Sequence, residues 1–238
     1  EKKNWPFKDD FVAFYPFEGN AYDESEYGHD GIVYGALPAE DRFGNAGSAY
    51  SFDGSDDWVF IEDAPEFHFT DEFAVSVWIK LRSSAPYYFP YHVIEKYGSW
   101  IIMQRGWDLH LSFTDESGAY ISVPWGNPGT SNLSPGVWYN FIMTYGGKRE
   151  DGNFKVFKNG ELVHSADCPG LTVARTSSNV VLSYYEPAPN AQGTGYWFDG
   201  LIDDVLLYDR VVSNGEAKRI ARAGTVPKGS KSSIKEIR

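Results

Sequence analysis

Short apolar runs dense in Val, Ile, Phe, Tyr and Trp recur along the whole chain, each closed by a cluster of Gly, Pro, Asn, Asp or Ser. They read FVAFYPF, GIVYGA, AYSFDG, WVFIED, FAVSVWIKL, SWIIMQR, LHLSF, AYISVPW, WYNFIMTY, FKVFKNGELV, NVVLSYY and YWFDGLIDDVLLY. Runs of this length, rich in β-branched and aromatic residues and bounded by turn formers, predict antiparallel strands. Asn159-Gly160 in FKVFKNGELVHS supplies the positive φ that a two-residue hairpin turn needs. So many strands imply an all-β fold, either two stacked sheets or a closed barrel.

One segment, SNGEAKRIARAG, has helical spacing. Ser213 or Asn214 caps it, Ala217 and Ile220 share a side, and Gly224 ends it. No internal repeat or break in composition divides residues 1–224, which are expected to form one domain. Residues 225–238, TVPKGSKSSIKEIR, are polar and rich in Lys and Ser, and are expected to form a tail or linker.

Composition narrows the partners. A formal net charge of -12 argues against nucleic acid or an anionic membrane, which both require a basic footprint. No apolar run reaches the roughly 18–20 residues of a membrane-spanning helix. The opening EKKNWPFKDD has no apolar signal-peptide core. Cys168 is the single cysteine, so neither a disulfide framework nor a cysteine zinc site is available. Eight Trp, sixteen Tyr and sixteen Phe exceed what a core requires and leave aromatics for a surface.

The stretch GLIDDVLLYDR sets two aspartates in an apolar run. Strict alternation places Leu201, Asp203, Val205 and Leu207 on one face and Ile202, Asp204, Leu206 and Tyr208 on the other, one carboxylate to each. A carboxylate on the inner face of a sandwich is costly unless paired or metal-bound.

The order of FVAFYPFEGNAYDESEYGHDGIVYG, AYSFDGSDDWVFI, FAVSVWIKL, WYNFIMTYGG, FKVFKNGELV and GLIDDVLLYDRVVSNGEAKRIA resembles the laminin G-like, concanavalin A-like jelly-roll modules of many bacterial secreted proteins. It spans roughly residues 10–223. The resemblance implies a two-sheet antiparallel jelly-roll sandwich with one short C-terminal helix. It also implies a secreted or cell-surface location as part of a larger multidomain chain.

A structural calcium ion at the sheet edge is a further implication of the resemblance, bound by main-chain oxygens near the first strand and the FDG turn and by an aspartate of the last strand. Carried onto this chain, the expected ligands are Glu18, Gly54 and Asp204, with Asn20, Asp53 and Asp203 as neighbours that share the role. Calcium takes about six to eight oxygen ligands, many of them carbonyls. The plainer alternative pairs Asp204 with an arginine, or has it cap loop amides, and leaves Asp203 solvated. Asp56 and Asp57 of DGSDDW read as turn residues that bond their own backbone.

Catalytic signatures are sparse. Glucanases that share this jelly roll carry Glu-x-Asp-x-x-Glu on a strand; IEDAPEF has the wrong spacing and an internal proline. Acids from separate strands, such as Glu95, Asp108, Asp115, Glu116 or Glu186, can in principle form an acid and base pair. A lyase-type base, His92 or Tyr91 with Arg105 neutralising a uronate, is a further possibility. His29, His68, His92, His110 and His164 are dispersed, without metal-ligand spacing.

Loop aromatics make better candidates for stacking on sugar rings. The expected ligand-binding residues are Tyr87, Tyr88 and Tyr91 in SSAPYYFPYH, Trp100, Arg105 and Trp107 in YGSWIIMQRGWD, Trp125 in SVPWGNPG and Tyr185 in SYYEPAPN. The strand residues Trp78 and Trp138 read as packing. The function expected is that of a non-catalytic, calcium-stabilised carbohydrate-binding or adhesion module with a polysaccharide as partner. Two rivals stand beside it: a glycan hydrolase or lyase, and a calcium-dependent protein-interaction module.

Overall fold

A computed structural model describes residues 11–86, 90–124, 126–147, 152–184 and 197–223. In chain order the strands are β1 (Ala13–Tyr15), β2 (Ile32–Tyr34), β3 (Leu37–Ala39), β4 (Ala49–Asp53), β5 (Trp58–Ile61), β6 (Glu72–Leu81), β7 (Tyr91–Lys96) and β8 (Trp100–Arg105). They continue as β9 (Asp108–Thr114), β10 (Tyr120–Ser122), β11 (Trp138–Gly146), β12 (Phe154–Lys158), β13 (Glu161–Ala166), β14 (Val180–Leu182) and β15 (Asp199–Tyr208). A 3-10 turn covers Pro65–Phe67, and helix α1 (Asn214–Arg222) follows the last strand. The tail expected at 225–238 lies outside the described residues.

The strands form two antiparallel sheets. One has the order β13-β12-β11-β6-β15-β4-β3, with β1 pairing to β15; the other has the order β10-β9-β8-β7-β14-β5-β2. This is the jelly-roll sandwich expected from the sequence. Alternation along each strand sends every second side chain inward. Phe73, Val75, Val77, Ile79 and Leu81 of β6 thus meet Leu109, Leu111 and Phe113 of β9 in the inter-sheet core. Phe113 stands 4.5 Å from Tyr145 and 5.6 Å from Phe154, ring centre to ring centre. Fully burying one such ring contributes about 2–3 kcal/mol.

The outer faces of the two sheets differ. On the eight-stranded sheet Phe11, Phe14, Ala74, Ile142, Phe157, Leu206 and Tyr208 form a second apolar cluster, covered by Ala217 and Ile220 of α1. The helix starts at a capping box. Ser213 Oγ accepts from the Glu216 backbone N–H, and the Glu216 carboxylate accepts from the Ser213 N–H. The Asn159-Gly160 turn forms as expected, both residues at positive φ, and its glycine faces the α1 backbone. Among the described residues no helix covers the outer face of the seven-stranded sheet.

The strict alternation expected for β15 fails at one residue. Asp203 pairs with Trp78, but the next partner in register is Leu206 with Ser76, so β15 carries a bulge. Asp204 takes φ 44°, in the left-handed region that Asp tolerates better than most residues. As a result Ile202, Val205 and Leu207 all face the inner core, while Leu206 and Tyr208 face outward. The two carboxylates therefore do not divide between the faces; they converge on one guanidinium.

Candidate functional site

The outer face of the seven-stranded sheet, on which no described helix packs, carries a run of side chains, of which Val181, His92, Glu95, His110 and Ser112 are buried and Tyr34 is exposed. Because Val33, Val59, Ile61, Val180 and Leu182 point into the core, Ile32, Tyr34, Trp58, Phe60 and Val181 point outward. Tyr34 stacks on Trp58 at 4.5 Å, and Trp58 meets Tyr184 at 5.0 Å. Tyr184 in turn meets Trp197 at 5.0 Å. Trp197 bridges to the backbone of His92 on β7, so the aromatic run abuts the second half of the face.

That second half is concave and mostly apolar, with a few polar groups set into it. A cavity of about 340 Å³ is lined by His92, Glu95, Tyr97, Trp100, Ile101, Met103, Phe113 and Tyr120, among others. A bulge creates its central pair. His92 pairs with Met103 but Ile94 with Ile102, leaving Val93 as the extra residue of β7. The three-residue step from His92 to Glu95 therefore returns to the same face, and His92 Nδ1 lies 3.1 Å from Glu95 Oε2. Both side chains are buried.

Opposite them Ser112 Oγ donates to Tyr120 Oη at 2.6 Å, and the Tyr120 ring stacks on His110 at 5.8 Å. Burial, with the nearby Arg105 as the smaller cause, lowers the His110 imidazole to about 4, so it is neutral at pH 7. Burial raises the Tyr120 phenol; the hydrogen bond from Ser112 opposes this and the Glu95 charge adds to it. The phenol is thus a neutral hydrogen-bonding group across the physiological range.

Several residues expected at the site lie elsewhere or only border it. Trp100 borders the cavity, but its side chain is 1% exposed and clusters with the inter-sheet apolar residues. It cannot offer a ring face to solvent, because β8 turns Trp100 and Ile102 inward and Ile101, Met103 and Arg105 outward. Tyr91 and Trp107 are half-buried and pack against the same core. Arg105 stands at the β8–β9 turn, opposite Asp108. Tyr87, Tyr88, Trp125 and Tyr185 lie outside the described residues. Trp58, Tyr34, Phe60, Trp197, Ser112, His110 and Tyr120 were not among the expected binding residues. Their signal was outward alternation on strands, which the preference for loop aromatics passed over.

Of the acids named for catalysis, Glu95 alone among the described residues reaches the cavity. Asp115 accepts from the Ser117 hydroxyl and from the Ser117 and Ala119 backbone, and those bonds hold its carboxyl below the usual carboxylate range. Glu116 pairs with Arg175, Asp108 accepts from the Asn132 backbone N–H, and Glu186 lies outside the described residues.

The residues expected to hold calcium do not fit one ion. Asp53 pairs with Asp199 and Tyr50 with Ile202, so Asp53 and Gly54 lie at one end of the β4–β15 pairing and Asp204 beyond the other. Five residues of strand separate the ends by roughly 15 Å, too far to share a cation. Glu18 accepts from Ser48 Oγ at 3.1 Å, and Asn20 Oδ1 accepts from the Tyr22 backbone N–H at 2.8 Å. Arg42 Nη1 donates to Asp203 at 2.8 Å and also to Asp204. Among the described residues Asp53, Asp56 and Asp57 do bring carboxylate oxygens within 4.8 Å of one another. Asp57 accepts the Asp53 backbone N–H, as the sequence suggested for that residue, and Asp53 accepts the Ser55 backbone N–H.

Comparisons with known proteins agree on the fold. A family model described as the concanavalin A-like lectin/glucanases superfamily matches residues 53–218. No curated protein matches the chain. Among solved structures, the receptor-binding domain of botulinum neurotoxin mosaic serotype C/D aligns with a TM-score of 0.70 at 17% identity. The alignment covers 91% of this chain and 51% of that one. The serotype D ligand-binding domain, solved in complex with N-acetylneuraminic acid, aligns with a TM-score of 0.69 at 17% identity over 90% of this chain and 51% of that one. The binding domain of Paraclostridial Mosquitocidal Protein 1 aligns at 0.70 and 15% identity, covering 91% and 52%. The chain thus spans about half the length of these neighbours.

Proposed function

The chain belongs to the concanavalin A-like lectin/glucanases superfamily, and from that premise we propose that it is a non-catalytic glycan-binding module, working through the outer face of its seven-stranded sheet. The observation that carries this reading is the continuity of that face. A row of mutually packed rings, Tyr34, Trp58, Tyr184 and Trp197, leads to a cavity bearing His92, Glu95 and Tyr120. Sugar rings present apolar C–H faces that stack on aromatics, and their hydroxyls need a few fixed polar partners. The aromatic half supplies the first and the cavity the second.

Binding without cleavage is favoured by the acid inventory. Glycoside hydrolysis requires two carboxyl groups about 5–10 Å apart, and the described lining of the cavity holds one, Glu95. We place the module in a larger secreted or surface protein that acts on or adheres to polysaccharide. Support comes from the structural neighbours, which are binding domains twice this length, one of them in complex with a sialic acid. Tethering would then concentrate individually weak contacts.

The test is retention of the chain on a panel of immobilised polysaccharides, with the eluates assayed for newly released sugar ends. Retention without release, reduced tenfold or more in Trp58→Ala as is usual for a central aromatic anchor, is expected. Release of ends, or retention unchanged in Trp58→Ala, would overturn the proposal.

A further inference from the structure

We infer that Arg42 is a built-in cation that closes this sandwich in place of a metal, so that the fold and its binding face are independent of calcium. The bulge in β15 sets the Asp203 and Asp204 carboxylates side by side, and both are completely buried. Two buried carboxylates cannot both stay ionised without a cation between them. The Arg42 guanidinium occupies that place, with Nη1 donating to one oxygen of each aspartate.

The surroundings hold the guanidinium there. Its Nη2 donates to the Ala223 carbonyl at 2.8 Å, at the C-terminal cap of α1. Its Cζ lies 4.3 Å from the centre of the Trp78 ring and 4.4 Å from that of Phe43. The side chain is 5% exposed, so the charge is sandwiched between two aromatic faces and shielded from water. Asp203 also accepts from the Asp204 backbone N–H at 2.8 Å, which fixes the bulge around the charge.

One side chain therefore ties together the turn before β4, the bulge of the last strand and the end of the helix. A metal at a sheet edge performs the same joining of distant segments. Here the joining needs no ligand from solution, and the acidic pair that invites a calcium assignment already holds a cation between its carboxylates.

Thermal unfolding tests this directly. The melting temperature of the unaltered chain is expected to be the same in excess calcium and in chelator; a fall in chelator that calcium reverses would overturn the inference. Arg42→Met is expected to lower the melting temperature by roughly 10 °C, the usual consequence of stranding a buried charge in a domain of this size. Arg42→Met combined with Asp204→Asn is expected to recover part of that loss. A double variant no more stable than the single one would overturn the inference, because the lost interaction would then be packing rather than charge. Arg42→Lys, which keeps the charge but not the forked geometry, gives the same comparison should Arg42→Met not fold: it is expected to melt between Arg42→Met combined with Asp204→Asn and the unaltered chain, and melting below that double variant would count against a cationic role.

Discussion

Acidification should destabilise the folded chain through His110 before the carboxylates dominate. Burial, and secondarily Arg105, lowers its imidazole from 6.5 to about 4. The folded state therefore remains neutral at His110 between those values while the unfolded chain takes up a proton there. The unfolded state binds more protons, so stability falls as pH drops through this window and levels off below it. At about 1.4 kcal/mol per pH unit, the full window corresponds to about 3.5 kcal/mol, of which about 3 is lost by pH 4. Urea unfolding of the unaltered chain and of His110→Gln, repeated from pH 7 to pH 4, isolates the term, since carboxylate titrations are common to both. Relative to the variant, the unaltered chain should lose about 3 kcal/mol across the range. A difference that stays flat, or a His110 ring resonance that titrates near 6.5 in the folded state, would refute the reasoning.

Other perturbations follow from local geometry. Gly160 has φ 81°, and a Cβ there would meet Lys218 Cα at 2.8 Å and the Ala217 carbonyl at 3.1 Å. Gly136, at φ 75°, has nothing within 4 Å. Gly136→Ala should therefore cost the left-handed backbone penalty of about 1–2 kcal/mol. Gly160→Ala should cost about 1–3 kcal/mol more by pushing on α1, and equal losses in urea unfolding would contradict this. Ser213→Ala removes the acceptor of the helix capping box and should cost about 1 kcal/mol; an unchanged unfolding midpoint would show that α1 is held by its apolar face alone.

Much of the fold was legible because alternation and turn chemistry are local. The apolar runs became strands, Asn159-Gly160 became a hairpin turn at positive φ, and Ser213 capped the single predicted helix. What alternation could not show was where it breaks. The bulge at Asp204 and the one at Val93 each add a residue, and these two additions put Asp203 beside Asp204 and His92 beside Glu95.

The partner of the aspartates was equally hidden. Arg42 lies 161 residues from Asp203 in sequence, and only the sheet topology brings them together. The burial of Trp100 was hidden for the opposite reason: its inward direction was readable from SWIIMQR, but its place beside a glycine-containing turn made it resemble a loop platform. Tyr34 and Trp58, on the outer face of the seven-stranded sheet, sit on strands and point outward. That α1 covers the other sheet and not this one is a choice of layer that no local pattern records.

The most direct measurement is the response of the tryptophan indole N–H resonances to titration with an oligosaccharide cut from a retained polysaccharide. Trp58 and Trp197 lie in the aromatic row, whereas Trp100 is in the core and Trp138 lies over Lys80 on the other sheet. Saturable shifts at Trp58 and Trp197, with Trp138 unmoved, are expected. Shifts confined to Trp138, or a retained sugar that leaves Trp58 and Trp197 unmoved, would place binding elsewhere and contradict the assignment of the outer face of the seven-stranded sheet.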